Sequence, residues 1–176
     1  MAVKVVSMSF LEPAQLSDLR NEVLMLKHAA HPRAVNLRAY YESPGDRAWI
    51  VTDMMSGGEV FDRLVSKGGY TEGDALKVAG AVVELLAHIH AEGIAHRDLK
   101  LENLMLRTPG DDSSLVVADF GLAAHSSNTD ASETGCGTPH YVSPEMVLGK
   151  PPFHAAGDMR AVGARSQTFA LPSRDA

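Results

Sequence analysis

His96-Arg97-Asp98-Leu99-Lys100-Leu101-Glu102-Asn103 is the stretch of this 176-residue chain whose reading decides the fold. It lies between a long helical pattern and a strand-like run. A Lys stands two places after the Asp and an Asn five places after it. A loop of that length can aim the three side chains at one centre. Asp98 suits accepting a hydroxyl proton, or orienting that hydroxyl, and Lys100 can neutralise negative charge beside it. Farther along, Asp119-Phe120-Gly121 follows a second strand-like run, where Asp119 offers a hard oxygen ligand at the strand's end. Gly137-Thr138-Pro139 and Ser143-Pro144-Glu145 come next. Upstream, Lys4 sits on a valine-rich run and Glu22 on the first helical pattern.

The surrounding periodicity sorts the chain into strands first and helices later. Residues 2–6 read as a strand. Ser17 is placed as the cap of a helix carrying Leu19, Val23 and Leu26, ended at His31-Pro32. Strands are expected over 34–41 and 49–53, around a turn at Ser43-Pro44-Gly45-Asp46. Ser56-Gly57-Gly58 breaks that pattern. Thr71-Glu72-Gly73-Asp74 resembles a capping box opening the clearest helix, with Ala79, Val82, Val83, Leu86 and Ile89 expected on its buried face. Gly93 suits a left-handed stop. Short strands over 103–107 and 115–118 flank a Pro-Gly-Asp-Asp turn. Residues 123–139 read as a long mobile loop.

Composition narrows the class. Hydrophobic residues make up 45% and charged residues 22%, which is globular usage. A formal net charge of -6 leaves no basic stripe for displacing phosphate counterions, so no nucleic-acid partner is expected. Cys136 is the only cysteine, which excludes an internal disulfide. The seven histidines other than His96 show no ligand spacing, so no zinc site is expected. No leader pattern follows Met1, and the apolar helix carries Glu84 and His88, so no membrane partner is expected. The expected setting is a soluble protein of the cytoplasm, with the nucleus left open.

Lys4, the His-Arg-Asp loop, Asp119-Phe120-Gly121 and Ser143-Pro144-Glu145 resemble, in order, the signature set of eukaryotic protein kinases. Lys100 is similar to the serine/threonine group rather than the tyrosine group. The run from Ser56 to Val65 and Cys136-Gly137-Thr138-Pro139 look most like the calcium/calmodulin-dependent kinases. The resemblance covers residues 2 to about 163 and implies an α+β, two-lobe fold. Residues 1–55 would form part of the small lobe and the hinge, 56–163 part of the large lobe, and 164–176 a disordered tail.

The resemblance also implies a reaction: transfer of the γ-phosphoryl of ATP, with Mg2+, to a Ser or Thr hydroxyl. By it Asp98 is the base, Lys100 the charge stabiliser, and Asn103 and Asp119 the metal ligands. Lys4, held by Glu22, grips the phosphates. Thr52 is the gatekeeper, Asp53 and Met55 offer backbone groups to adenine, and Glu59 lies near the ribose. Glu59 and Glu102 match positions that meet basic substrate side chains, implying a protein or peptide partner basic around its target. Thr134 matches an activation-loop phosphosite that Arg97 could pair with. Leu26, Leu37, His96 and Phe120 match an apolar column between the lobes, and Asp158 a brace for the catalytic loop.

Both ends depart from the family pattern. Only three residues precede Lys4, so the Gly-rich loop has no counterpart. Arg160 stands where the family has Trp, and the apolar helix expected after Gly163 does not follow. These departures predict an incomplete fold, with an exposed apolar patch on the 75–90 helix and Glu145 left without its partner. The alternative reading is therefore a catalytically silent kinase fragment, acting as a binding or interfering module, or an artefact of the reading frame.

Overall fold

The computed structural model describes residues 1–44, 46–125 and 154–169, with side chains at 155–163 of the last segment. Thr134, Cys136, Gly137-Thr138-Pro139, Ser143-Pro144-Glu145 and the tail beyond 169 lie outside the described residues. The chain forms a mixed fold of helices and small antiparallel sheets.

The N-terminal part is an antiparallel sheet of β1 (Ala2–Ser7), β2 (Leu37–Glu42) and β3 (Arg47–Thr52), in the order β1-β3-β2. Ile50 on the central strand faces both Lys4 and Tyr40 in register. Helix α1 (Pro13–His28) buries Leu19, Met25 and Leu26 beside it. It starts four residues before Ser17. Pro13 takes the first turn, where its missing N–H has no partner to lose, and the Glu12 N–H donates to Gln15 Oε1 at 2.9 Å. The strand expected from residue 34 begins only at Leu37. Residues 33–35 instead hydrogen-bond to Val117, through Val117 N–H to Arg33 O at 2.8 Å and Val35 N–H to Val117 O at 3.0 Å.

Two short sheets build the second part. β4 (Gly58–Glu59), β6 (Leu104–Leu106) and β7 (Leu115–Val117) form one, ordered β4-β6-β7, and β5 (Ile94–Ala95) pairs with β8 (Ala124–His125) in the other. Gly57 packs so close to β6 that an added Cβ would lie 2.5 Å from Leu106 Cβ. Between these strands run α2 (Val60–Ser66) and α3 (Glu72–Ala91). Thr71 caps α3, its Oγ1 accepting from the Asp74 N–H at 3.2 Å, and Gly93 stops the chain with a φ of 72°.

The buried face of α3 is Ala75, Val78, Ala81, Val82, Leu85, Leu86 and Ile89. Val83 lies off that stripe and is 38% exposed, which corrects its expected place in the core. The bare patch expected here does not form. Helix α4 (His154–Phe169) packs on α3 and buries Ala161. This helix runs six residues past Gly163, through part of the segment expected to be disordered. No proline interrupts it before Pro172, so nothing in the backbone forces a stop at Gly163. No helix among the described residues is long and apolar enough to cross a membrane.

This packing sets apart two neighbouring positions. Leu86→Ala is expected to lower unfolding stability by about 3 kcal/mol, as for a fully enclosed leucine. Val83→Ala is expected to cost less than about 1 kcal/mol. Denaturant titration followed by circular dichroism checks both, and equal losses would contradict the face described.

Candidate active site

The loop 96–103 is held from below by one buried carboxylate. Asp158 accepts hydrogen bonds from the backbone N–H groups of His96 at 2.9 Å and Arg97 at 2.8 Å, and from His90 Nε2 at 2.9 Å. These contacts keep Arg97 in the left-handed region, at φ 66°, an arrangement that costs a non-glycine residue about 1 kcal/mol or more. The strained turn delivers Asp98 to a buried position. Lys100 Nζ donates to Asp98 Oδ2 at 2.6 Å, and Asn103 Nδ2 donates to the Asp98 carbonyl at 2.8 Å. Asp98, Lys100 and Asn103 are thus brought together. The bond to Asp98 is the foremost cause that raises the Lys100 pKa above its ordinary value.

A single residue, Ala118, joins Asp119 to this loop. The Ala118 N–H donates to Asn103 O at 2.8 Å, and the Ala118 carbonyl accepts from His96 Nε2 at 3.1 Å. Asp119 follows at φ 61°, with its Oδ1 accepting from the Gly121 N–H at 3.2 Å. Phe120 is buried, and its ring packs against His96 with centroids 4.9 Å apart. His96 therefore serves packing and a hydrogen bond. Its burial pushes the imidazole pKa down, so the ring stays neutral.

Lys4 faces the same region from β1. Its ammonium donates to both Glu22 oxygens, at 2.9 and 2.8 Å. Lys4, Glu22 and Asp119 line one cleft of about 190 Å³, with Leu26, Val35, Ile50, Thr52, Ala118 and Phe120 as the remaining walls. Leu26, His96 and Phe120 are buried and Leu37 is half-buried. The cleft is thus lined by one cation, two carboxylates and mostly apolar side chains.

Asp53, Met55 and Glu59, expected beside the nucleotide, are not among the residues that line that cleft. Asp53 and Met55 are half-buried on the connection from β3 to β4, and Glu59 lies on β4 opposite Met105. Glu102 is exposed. Several site contacts had no sequence signal. Asn21 Nδ2 donates to Ala123 O at 2.8 Å, tying α1 to the segment after Phe120, and His90 supports Asp158 across 68 residues of chain. Long-range pairs such as these leave no local pattern. Among the described residues no group of three or more His, Cys, Asp or Glu gathers as a metal cluster.

Neutral, buried His96 links stability to pH. Its folded pKa lies below the ordinary 6.5, so the unfolded chain binds the extra proton. The stabilising effect is complete above pH 6.5 and is lost as pH falls below it. The melting temperature is expected to drop between pH 7 and 5.5, and less steeply in His96→Gln, where part of the slope remains because burial also lowers the pKa of His31. Equal slopes in the two proteins would contradict this assignment.

Comparison with known proteins agrees with the geometry. The protein kinase domain family model matches residues 1–169. The chain is 38% identical over 162 residues to calcium/calmodulin-dependent protein kinase type 1 of Macrobrachium nipponense, covering 92% of this chain and 46% of that one. It is 40% identical over 148 residues to the human type 1B enzyme, covering 84% and 42%. It is 37% identical over 164 residues to human serine/threonine-protein kinase H1, covering 92% and 38%. The chain spans less than half the length of these relatives. The match across nearly all of the chain, together with the loop, cleft and ion pair above, shows that it belongs to the protein kinase domain family.

Proposed function

We propose that this chain, as part of its whole protein, transfers a phosphoryl group from ATP to Ser or Thr hydroxyls of a protein or peptide substrate. One observation carries the reading: the backbone of Ala118 ties Asp119 to the loop of Asp98 and Asn103, while Asp119 shares its cleft with the Lys4–Glu22 pair. The donor chemistry fits the group. Asp119 and Asn103 offer a carboxylate and an amide oxygen, hard donors suited to magnesium, which takes few protein ligands and keeps water and phosphate oxygens for the rest.

Magnesium-bound ATP supplies the transferable phosphoryl group and the neutralising charge. Asn103 and Asp119 would hold the metal. Lys4, oriented by both Glu22 oxygens, offers a positive charge to the phosphates. Asp98 orients the substrate hydroxyl and accepts its proton at a carboxylate oxygen. Lys100, kept protonated by its bond to Asp98, lends a second positive charge where negative charge develops. The backbone of Asp53 and Met55 would receive the adenine, and Glu59 would lie near the ribose. Glu59 and the exposed Glu102 supply the negative charge for a substrate that is basic around its target.

The test is transfer of label from γ-labelled ATP to a basic serine peptide, with the whole protein as enzyme. Asp98→Asn and Asp119→Ala are each expected to lower kcat by about 100-fold or more. Phosphate incorporation by Asp98→Asn at the unmodified rate would remove Asp98 from the chemistry.

A further inference from the structure

The connection between the two sheets carries a charged network that the phosphoryl-transfer chemistry does not use. Asp53 is the first residue after β3, and the next strand, β4, already belongs to the other sheet. Its side chain is only 10% exposed and meets two guanidinium groups. Arg38, on β2 of the first sheet, donates from Nε to Asp53 Oδ1. Arg107, which directly follows β6 of the second sheet, donates from Nη1 to Asp53 Oδ2 at 2.6 Å. One carboxylate therefore joins both sheets at the point where the chain passes between them.

Arg107 reaches the other crossing as well. Its Nη2 donates to Pro32 O at 3.2 Å, just before residues 33–35 pair with Val117 of β7. Its own carbonyl accepts from Ser56 Oγ at 2.9 Å, and the next hinge residue, Gly57, donates from its N–H to Leu106 O at 2.9 Å. The 32–36 crossing and the 53–57 crossing are thus tied to one side chain. The carboxylate is kept ionised. Burial pushes its pKa up, but the two guanidinium hydrogen bonds outweigh that and leave it below the ordinary value.

We propose that Asp53 and Arg107 form an interlobe latch, a positioning pair that sets the angle between the Lys4–Glu22 sheet and the Asp98–Asn103–Asp119 loop. Asp53 was assigned through its backbone alone, as an adenine contact. The side-chain role is separate from that one. It rests on the phosphoryl-transfer reading only for its effect on nucleotide binding. Charge-assisted hydrogen bonds at a half-dry site are strong enough to hold such an angle, and loss of either partner strands the other. With the latch broken, both crossings loosen together, because Arg107 touches both and the Asp53 carboxylate it holds also bonds Asn36 of the 32–36 crossing.

Hydrogen exchange on the full chain tests this, comparing Asp53→Asn, Arg107→Met, the double variant and Arg107→Lys. Each single variant is expected to speed exchange about tenfold at Val35 and Gly57, while α3 amides keep their protection and report an intact fold. The double variant is expected to add little to either single one, and Arg107→Lys to restore part of the protection. Additive effects, or faster exchange at Gly57 alone, would overturn the latch. A fluorescent ATP analogue measured in parallel is expected to bind about tenfold more weakly to both single variants. Unlatched exchange in a protein that binds no nucleotide even unmutated would leave the latch standing and remove the phosphoryl-transfer reading.

Discussion

The backbone of Ala118, its N–H clasped by Asn103 O and its carbonyl by His96 Nε2, is the constraint on which the rest of the site depends. It fixes where β7 ends relative to the loop 96–103, and so where Asp119 begins. Asn103 stands just before β6 and Asp119 just past β7, and the clasp carries the ladder that pairs Leu104 with Val117 on to both of them. The clasp needs a proton on His96 Nε2 aimed at the Ala118 carbonyl, and a ring held in place, which burial and the packing against Phe120 provide. It also needs a loop that does not relax. Asp158, three hydrogen bonds deep in the protein, holds the left-handed turn at Arg97 that relaxation would remove.

Those requirements connect the site to the helical packing. Asp158 stands on α4, which is seated by its contact with the apolar stripe of α3. The same stripe, through Leu85, Leu86 and Ile89, lies buried in the shared core with Phe120. Packing energy is thus converted into position: a nonpolar helix contact sets a carboxylate, which sets a strained turn, which presents Asp98. On the opposite side, α1 contributes Glu22 to Lys4 and Asn21 to the segment after Phe120. The two halves meet at a cleft lined by Lys4, Ile50 and Thr52 of the first sheet, by Glu22 and Leu26 of α1, and by Ala118, Asp119 and Phe120 just past β7.

Much of this was legible in the sequence, for identifiable reasons. Asp98, Lys100 and Asn103 lie within six residues, so one loop had to keep them close, and they are close. The Lys4–Glu22 pair was suggested by family resemblance and is present as a two-oxygen contact. Thr71 announced its helix through local capping chemistry, which depends on only four residues. The failures have a common cause. Val83 was placed in the core, and a bare face was expected on α3, because the position of α4 is a tertiary fact that periodicity does not carry. The start of β2 was placed too early because Arg33 and Val35 pair with a strand more than 80 residues away. The side chain of Asp53 had no pattern around it at all. Its partners come from two other strands.

Manganese offers the most direct measurement, since it substitutes for magnesium and broadens nearby amide resonances. Added with ADP to the isotope-labelled protein, it is expected to broaden Asn103, Asp119 and Gly121 together, and Asp119→Ala is expected to remove the effect at all three. Broadening of Asn103 without Asp119, or of neither while the nucleotide is bound, would show that the two residues do not share a metal.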